Sequence, residues 1–67
     1  MKLKALKELR EQKGYSPFET SILLNMNFTH YLELEELKCE PTDFEIGIIC
    51  DFFGTNFEEL TTAVRYE

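Results

Sequence analysis

The chain has no tryptophan, only two prolines and three glycines, two cysteines and a single histidine. Each shortage closes off a class. So little proline and glycine excludes a disordered or low-complexity chain and leaves the composition of an ordinary folded domain. Two thiols and one imidazole, Cys39, Cys50 and His30, lack the number and spacing of a zinc site. Both cysteines therefore read as reduced thiols of a soluble cytoplasmic protein, with no metal and no cofactor expected. Apolar runs of signal or membrane length are missing too, since MKLKALKELR interleaves lysine with leucine, and no membrane partner is expected. A nucleophile paired with a base and a glycine-rich phosphate loop are also wanting, and the chain is hardly long enough to wall a pocket. An enzyme acting on a small-molecule substrate is not expected.

Cations are the other scarcity: seven lysines and arginines stand against thirteen carboxylates, for a net charge of −6. The balance is uneven. Lys2, Lys4, Lys7, Arg10 and Lys13 face only Glu8 and Glu11 in residues 1–15, whereas Lys38 stands alone against Glu19, Glu33, Glu35, Glu36 and Glu40 in residues 16–41. From Gly14 to Leu37 there is no lysine or arginine at all. Duplex DNA is bound largely by neutralising phosphates, so this middle stretch is a poor candidate for that work.

What the chain does have is six phenylalanines, three tyrosines and 43% apolar residues in 67, enough for one small core and one domain over residues 1–67. Helix signals follow one another closely. Leu3, Leu6 and Leu9 recur along one side of a first helix over about 2–12, with cations on the other side and Gly14 placed to end it. Ser16 and Glu19 form the pattern of a capping box, with Pro17 suited to the first helical position of a second helix over 17–24. Asn27 is a third start signal, for a helix over 28–37. A second box, Thr42 with Glu45, opens a helix over 43–53 whose buried stripe is Ile46, Ile49, Cys50 and Phe53, ended by Gly54. Asn56 with Glu59 opens the last, over 57–65, turning Phe57, Leu60 and Val64 inward. Each cap contributes about 1 kcal/mol.

The segments LKELREQKGYS, LLNMN and DFFGTNFEEL, with Glu35 and Pro41 between them, resemble the phage-repressor and Cro-type helix-turn-helix domain, often called Xre, over residues 3–60. The resemblance implies an all-α, five-helix, lambda-repressor-like bundle with a central helix-turn-helix. Its core would hold Leu6, Leu9, Leu24, Met26, Tyr31, Leu34, Ile46, Ile49, Phe53, Phe57 and Leu60. It also implies transcription regulation, in most such domains as dimers on palindromic DNA.

The chain departs from that family where the family meets DNA. Pro17 stands where a backbone-contacting glutamine is usual, and Leu37 where a glycine often ends the reading helix, so that helix is expected to reach 37 or 38. Thr20 and Ser21 replace buried leucine and alanine, while Ile22 and Leu23 fall at polar positions. Either the second helix has turned to bury those two, or they are exposed. Among direct base readouts only Asn27 is suitable. Glu35 reads as a structural acceptor for neighbouring backbone, and His30 as a surface residue. The expectation is therefore a regulator acting mainly through contact with another protein, either a different regulator or a second copy. Phe28 and Leu32 would anchor that contact, Phe18 would lie at its rim, and Glu33 and Glu36 would face a basic partner. The alternative is a sequence-specific repressor, with Lys4, Lys7 and Arg10 on phosphates and Asn27 and Thr29 on bases.

Overall fold

Five helices follow one another in the computed structural model, which describes residues 2–62: α1 (Leu6–Lys13), α2 (Pro17–Leu23), α3 (Phe28–Glu35), α4 (Asp43–Phe53) and α5 (Phe57–Thr61). No strand occurs among the described residues. The radius of gyration, 10.8 Å, matches the roughly 11 Å of a compact chain this long. The helices therefore share one core.

The start signals work as local chemistry. Ser16 Oγ accepts from the Glu19 amide, Asn27 Oδ1 from the His30 amide, Thr42 Oγ1 from the Glu45 amide and Asn56 Oδ1 from the Glu59 amide, at 2.8–3.1 Å. At α4 the box closes in both directions, since the Glu45 carboxylate accepts from the Thr42 amide at 2.9 Å. At α5 the Glu59 carboxylate accepts instead from the Thr55 hydroxyl at 2.7 Å.

Four of the helices end the same way. After α1, α2, α3 and α4 one residue takes a left-handed conformation: Gly14 (φ 81°), Asn25 (φ 55°), Leu37 (φ 62°) and Gly54 (φ 65°). The following amide then closes a wide turn onto the last helical turn, as Tyr15 does to Arg10, Met26 to Ser21, Lys38 to Glu33 and Thr55 to Cys50. Leucine pays about 1–2 kcal/mol for that conformation. This is why α3 stops at Glu35 and does not run to 37 or 38: the chain keeps the turn although it lacks the glycine. Lys2 Nζ donates to the Leu37 carbonyl at 2.8 Å and helps to hold it.

The first helix starts later than its leucine spacing suggests. Residues 2–5 form a lead-in in which the Ala5 amide donates to the Leu60 carbonyl at 3.0 Å, tying the N-terminal segment to α5. Leu3, Ala5 and Leu6 are all buried there. Around them Leu24, Tyr31, Leu34, Ile49, Phe53 and Leu60 complete the core, with Leu9, Met26, Ile46 and Cys50 partly buried against it. Phe57, expected inside, is 43% exposed; it occupies the first position of a five-residue helix whose buried residue is Leu60. That helix ends at Thr61, with Thr62 already extended, and the expected continuation over 63–65, with Val64, lies outside the described residues.

The three glycines separate two backbone effects. A methyl group at Gly14, Gly47 or Gly54 would meet nothing within 4 Å, but Gly14 and Gly54 are left-handed and Gly47 is an ordinary residue inside α4. Gly47→Ala is therefore expected to stabilise the fold by about 1 kcal/mol and Gly14→Ala to destabilise it by about as much, as read from urea unfolding midpoints.

Candidate functional site

Helix α2 settles which of its residues face the core. Thr20 and Ser21 are buried, at 0% and 1% exposure, while Ile22 is 61% and Leu23 50% exposed. The helix has not turned to hide its large apolar residues. Burying the two hydroxyls costs little because each bonds its own helix: Thr20 Oγ1 donates to the Ser16 carbonyl at 2.9 Å and Ser21 Oγ to the Phe18 carbonyl at 2.7 Å. The small residues of α2 thus face inward, and the larger ones are left outside.

One exposed apolar surface is built from both helices. Phe18, 58% exposed, packs edge-to-face on Phe28, 38% exposed, with ring centroids 5.3 Å apart and planes at 82°. One helical turn after Phe18, Ile22 borders an open depression of about 360 Å³ that Ser21, Asn25, Met26 and Asn27 also line. Leu32, one turn beyond Phe28, is half-buried. Glu19, Glu33 and Glu36 are exposed, and Glu36 pairs with Lys38 at 3.2 Å. Phe44, at 77% exposure, is a further exposed ring on α4.

The residues set aside for DNA are distributed differently. Lys4 and Lys7 are exposed on or just before α1. Asn27 and Thr29 are exposed at the start of α3, with the Asn27 side-chain oxygen already occupied in capping. Arg10 is not available for phosphate. At 7% exposure, it donates through Nε to Glu35 at 2.6 Å and through a terminal nitrogen to the Tyr15 carbonyl at 2.6 Å.

Glu35 is thus a structural acceptor, but for side chains and not for backbone: the same carboxylate oxygen takes the Tyr31 hydroxyl at 2.5 Å. Burial, then the hydrogen bond and charge of Glu35, push the Tyr31 phenol far above its ordinary range. Burial works against the Arg10 guanidinium, yet the Glu35 bond and charge outweigh it and hold the cation. Position carried a signal of this role, because Arg10 falls four residues after Leu6, on the apolar side of its helix.

On the other flank of α3, His30 Nε2 meets the Glu45 carboxylate at 2.7 Å, joining α3 to α4. Burial pushes the Glu45 carboxyl up, but the Thr42 amide, the His30 bond and charge and the Thr42 hydroxyl prevail, leaving it below its ordinary 4.5.

No family model, curated protein or solved structure matches the chain. No helix among the described residues is long and apolar enough to cross a membrane.

Two substitutions test these assignments. Arg10→Met leaves a buried carboxylate without its cation and is expected to cost about 3 kcal/mol, against less than about 0.5 kcal/mol for Lys7→Met; equal losses in chemical unfolding would show that Arg10 is not a buried partner. Glu45 contributes stability that is complete above its unfolded value and lost as pH falls through the lower folded one. Wild type should therefore lose more stability than Glu45→Gln between about pH 5 and pH 3, measured by unfolding at each pH.

Proposed function

We propose that this chain is a small regulator of transcription, built on a helix-turn-helix scaffold of the phage-repressor and Cro type, which acts mainly by binding another protein. The observation that carries the reading is the Phe18–Phe28 pair, continued by the exposed Ile22, on the two helices that would otherwise address DNA. Aromatic residues, phenylalanine among them, are enriched at the cores of protein interfaces. Isolated exposed residues such as Phe44 carry no such weight.

Charge selects among partners. Glu19 and Glu36 are exposed on or beside these two helices, while Glu33 lies on the other flank of α3 with His30, and no lysine or arginine lies between Gly14 and Leu37. A second copy pressed against this face would bring like charge to like charge. A basic surface, such as the DNA-binding side of another regulator, would complement it. Covering that surface would keep the partner from its site, which is the action of an antirepressor or modulator.

Direct DNA binding is the second reading, favoured by the exposed Lys4, Lys7, Asn27 and Thr29. It is the weaker one because Arg10 is held by Glu35. Without that residue few cations remain to neutralise phosphates, and affinity follows their number.

Phe18→Ala and Phe28→Ala are each expected to weaken the complex with a basic regulator by about tenfold or more while leaving the chain folded, as read by calorimetry and circular dichroism. Complex formation undiminished in the double variant removes the proposed face. Submicromolar binding to duplex DNA that falls steeply with salt and disappears in Asn27→Ala would establish the second reading instead.

A further inference from the structure

Around the turn that follows α3, a set of side chains is arranged in a way that neither the helix caps nor the apolar face accounts for. His30 Nδ1 and Cys39 Sγ lie 4.0 Å apart. A carboxylate oxygen of Glu33 joins them, with the three donor atoms all within 4.8 Å of one another. The residues come from one short segment. His30 and Glu33 are one turn apart on α3, and the left-handed turn at Leu37 folds the chain back so that Cys39 returns beside His30.

We propose that His30, Glu33 and Cys39 form a binding site for a single zinc ion, with the fourth coordination position open to water. The donor set of one imidazole, one thiolate and one carboxylate suits a borderline-soft divalent cation better than magnesium or calcium, which prefer oxygen alone. In a tetrahedral site with bonds of about 2.0–2.3 Å, donor atoms sit roughly 3.3–3.7 Å apart. His30 and Cys39 therefore need to close in by roughly 0.5 Å, and the widest pair by at most roughly 1.1–1.5 Å. Glu33 is exposed and Cys39 lies in the connection between α3 and α4, so both can make that adjustment without disturbing the core.

The strongest independent support is the other side of the imidazole. His30 Nε2 is 2.7 Å from Glu45, and a proton held there leaves Nδ1 as a lone pair directed towards Cys39. Metal-binding histidines commonly have this carboxylate partner, which fixes the tautomer and raises the basicity of the ligating nitrogen. Glu45 is itself held by the capping box of α4, so the support is rigid.

Charge agrees with the geometry. The charges of Glu33 and Glu45 act on the Cys39 sulfur with only Lys2 opposing them, so a divalent cation would offset a local excess of negative charge. Binding requires the thiol to give its proton to solvent. With thiolate and carboxylate as ligands, the two negative charges balance the ion. Cys50 takes no part. The count of two cysteines is for that reason a poor guide, because the second sulfur is replaced by a histidine and a glutamate.

The test uses the full chain with its thiols reduced, titrated with zinc by calorimetry and with cobalt(II) as a spectroscopic probe. One zinc per chain is expected, at micromolar affinity or tighter, with a thiolate-to-cobalt charge-transfer band and the visible bands of a four-coordinate ion. Cys39→Ser should abolish the charge-transfer band, and Cys39→Ser and His30→Gln should each weaken zinc at least tenfold. Glu45→Gln, which can still complete the capping box, should weaken it by about 10–100-fold through loss of the supporting carboxylate. Cys50→Ser should leave zinc affinity unchanged. Zinc at a hundredfold excess over Kd should also raise Tm by roughly 10 °C or more. Absence of saturable binding, binding undiminished in Cys39→Ser, or loss of binding in Cys50→Ser would overturn the site.

Discussion

The buried pair between Arg10 and Glu35 is the constraint on which the arrangement of helices rests. It joins α1 to α3 across 25 residues of chain, and its members also hold the Tyr15 carbonyl and the Tyr31 hydroxyl. Four polar groups that would otherwise be unsatisfied near the core thus satisfy one another. An apolar replacement of similar volume could be as stable, since desolvating two charges costs much of what their attraction returns. What the pair adds is orientation. A guanidinium with one nitrogen on Glu35 and another on a backbone carbonyl fixes both the rotation of α1 and its distance from α3 in a way that leucines do not. The same commitment removes a cation from the surface, so a structural device weakens the case for DNA.

Features carried by neighbouring residues could be read in the sequence. The Ser16, Asn27, Thr42 and Asn56 caps each involve an amide three residues on, and a glycine after the last periodic residue marked the ends of α1 and α4. Features set by distant contacts could not. Where α1 begins depends on the Ala5 amide reaching Leu60, and where α3 ends depends on Leu37 adopting a conformation that leucine avoids. Nothing local to either segment announces these. The same division holds for the candidate site. Phe18 and Phe28 were visible as large apolar residues at odds with a groove-reading surface, but the fate of Ile22 and Leu23 turned on Thr20 and Ser21. A hydroxyl counts as polar in a periodicity, yet one bonded to its own helix can be buried like a small apolar group. Arg10 misled in the opposite direction, because its charge suggested the surface while its position, four residues after Leu6, put it inside.

Helix α3 is where these demands converge. Its inner side supplies Tyr31, Leu34 and Glu35 to the core and to Arg10. One flank gives Phe28 to Phe18 on α2, and the other gives His30 to Glu45 on α4. Eight residues therefore contact three of the other four helices through separate sectors. The partition explains why so short a helix can hold its place: little of its stability is intrinsic, since isolated helices of this length are marginal in water.

It also determines what can be changed independently. A residue on the inner side, such as Tyr31 or Glu35, participates in packing on which both flanks depend, so its removal would disturb every contact of the helix at once. Phe28 and His30 lie on opposite flanks and share no partner, and effects at such separated positions combine nearly additively. The apolar face and the cluster around His30 are therefore physically distinct features of one helix, and either can be altered while the other is kept. For the two to influence each other, occupancy of one would have to favour an arrangement of α3 that the other binds differently. The Arg10–Glu35 pair opposes that, because it holds the inner side of α3 in a single orientation against α1.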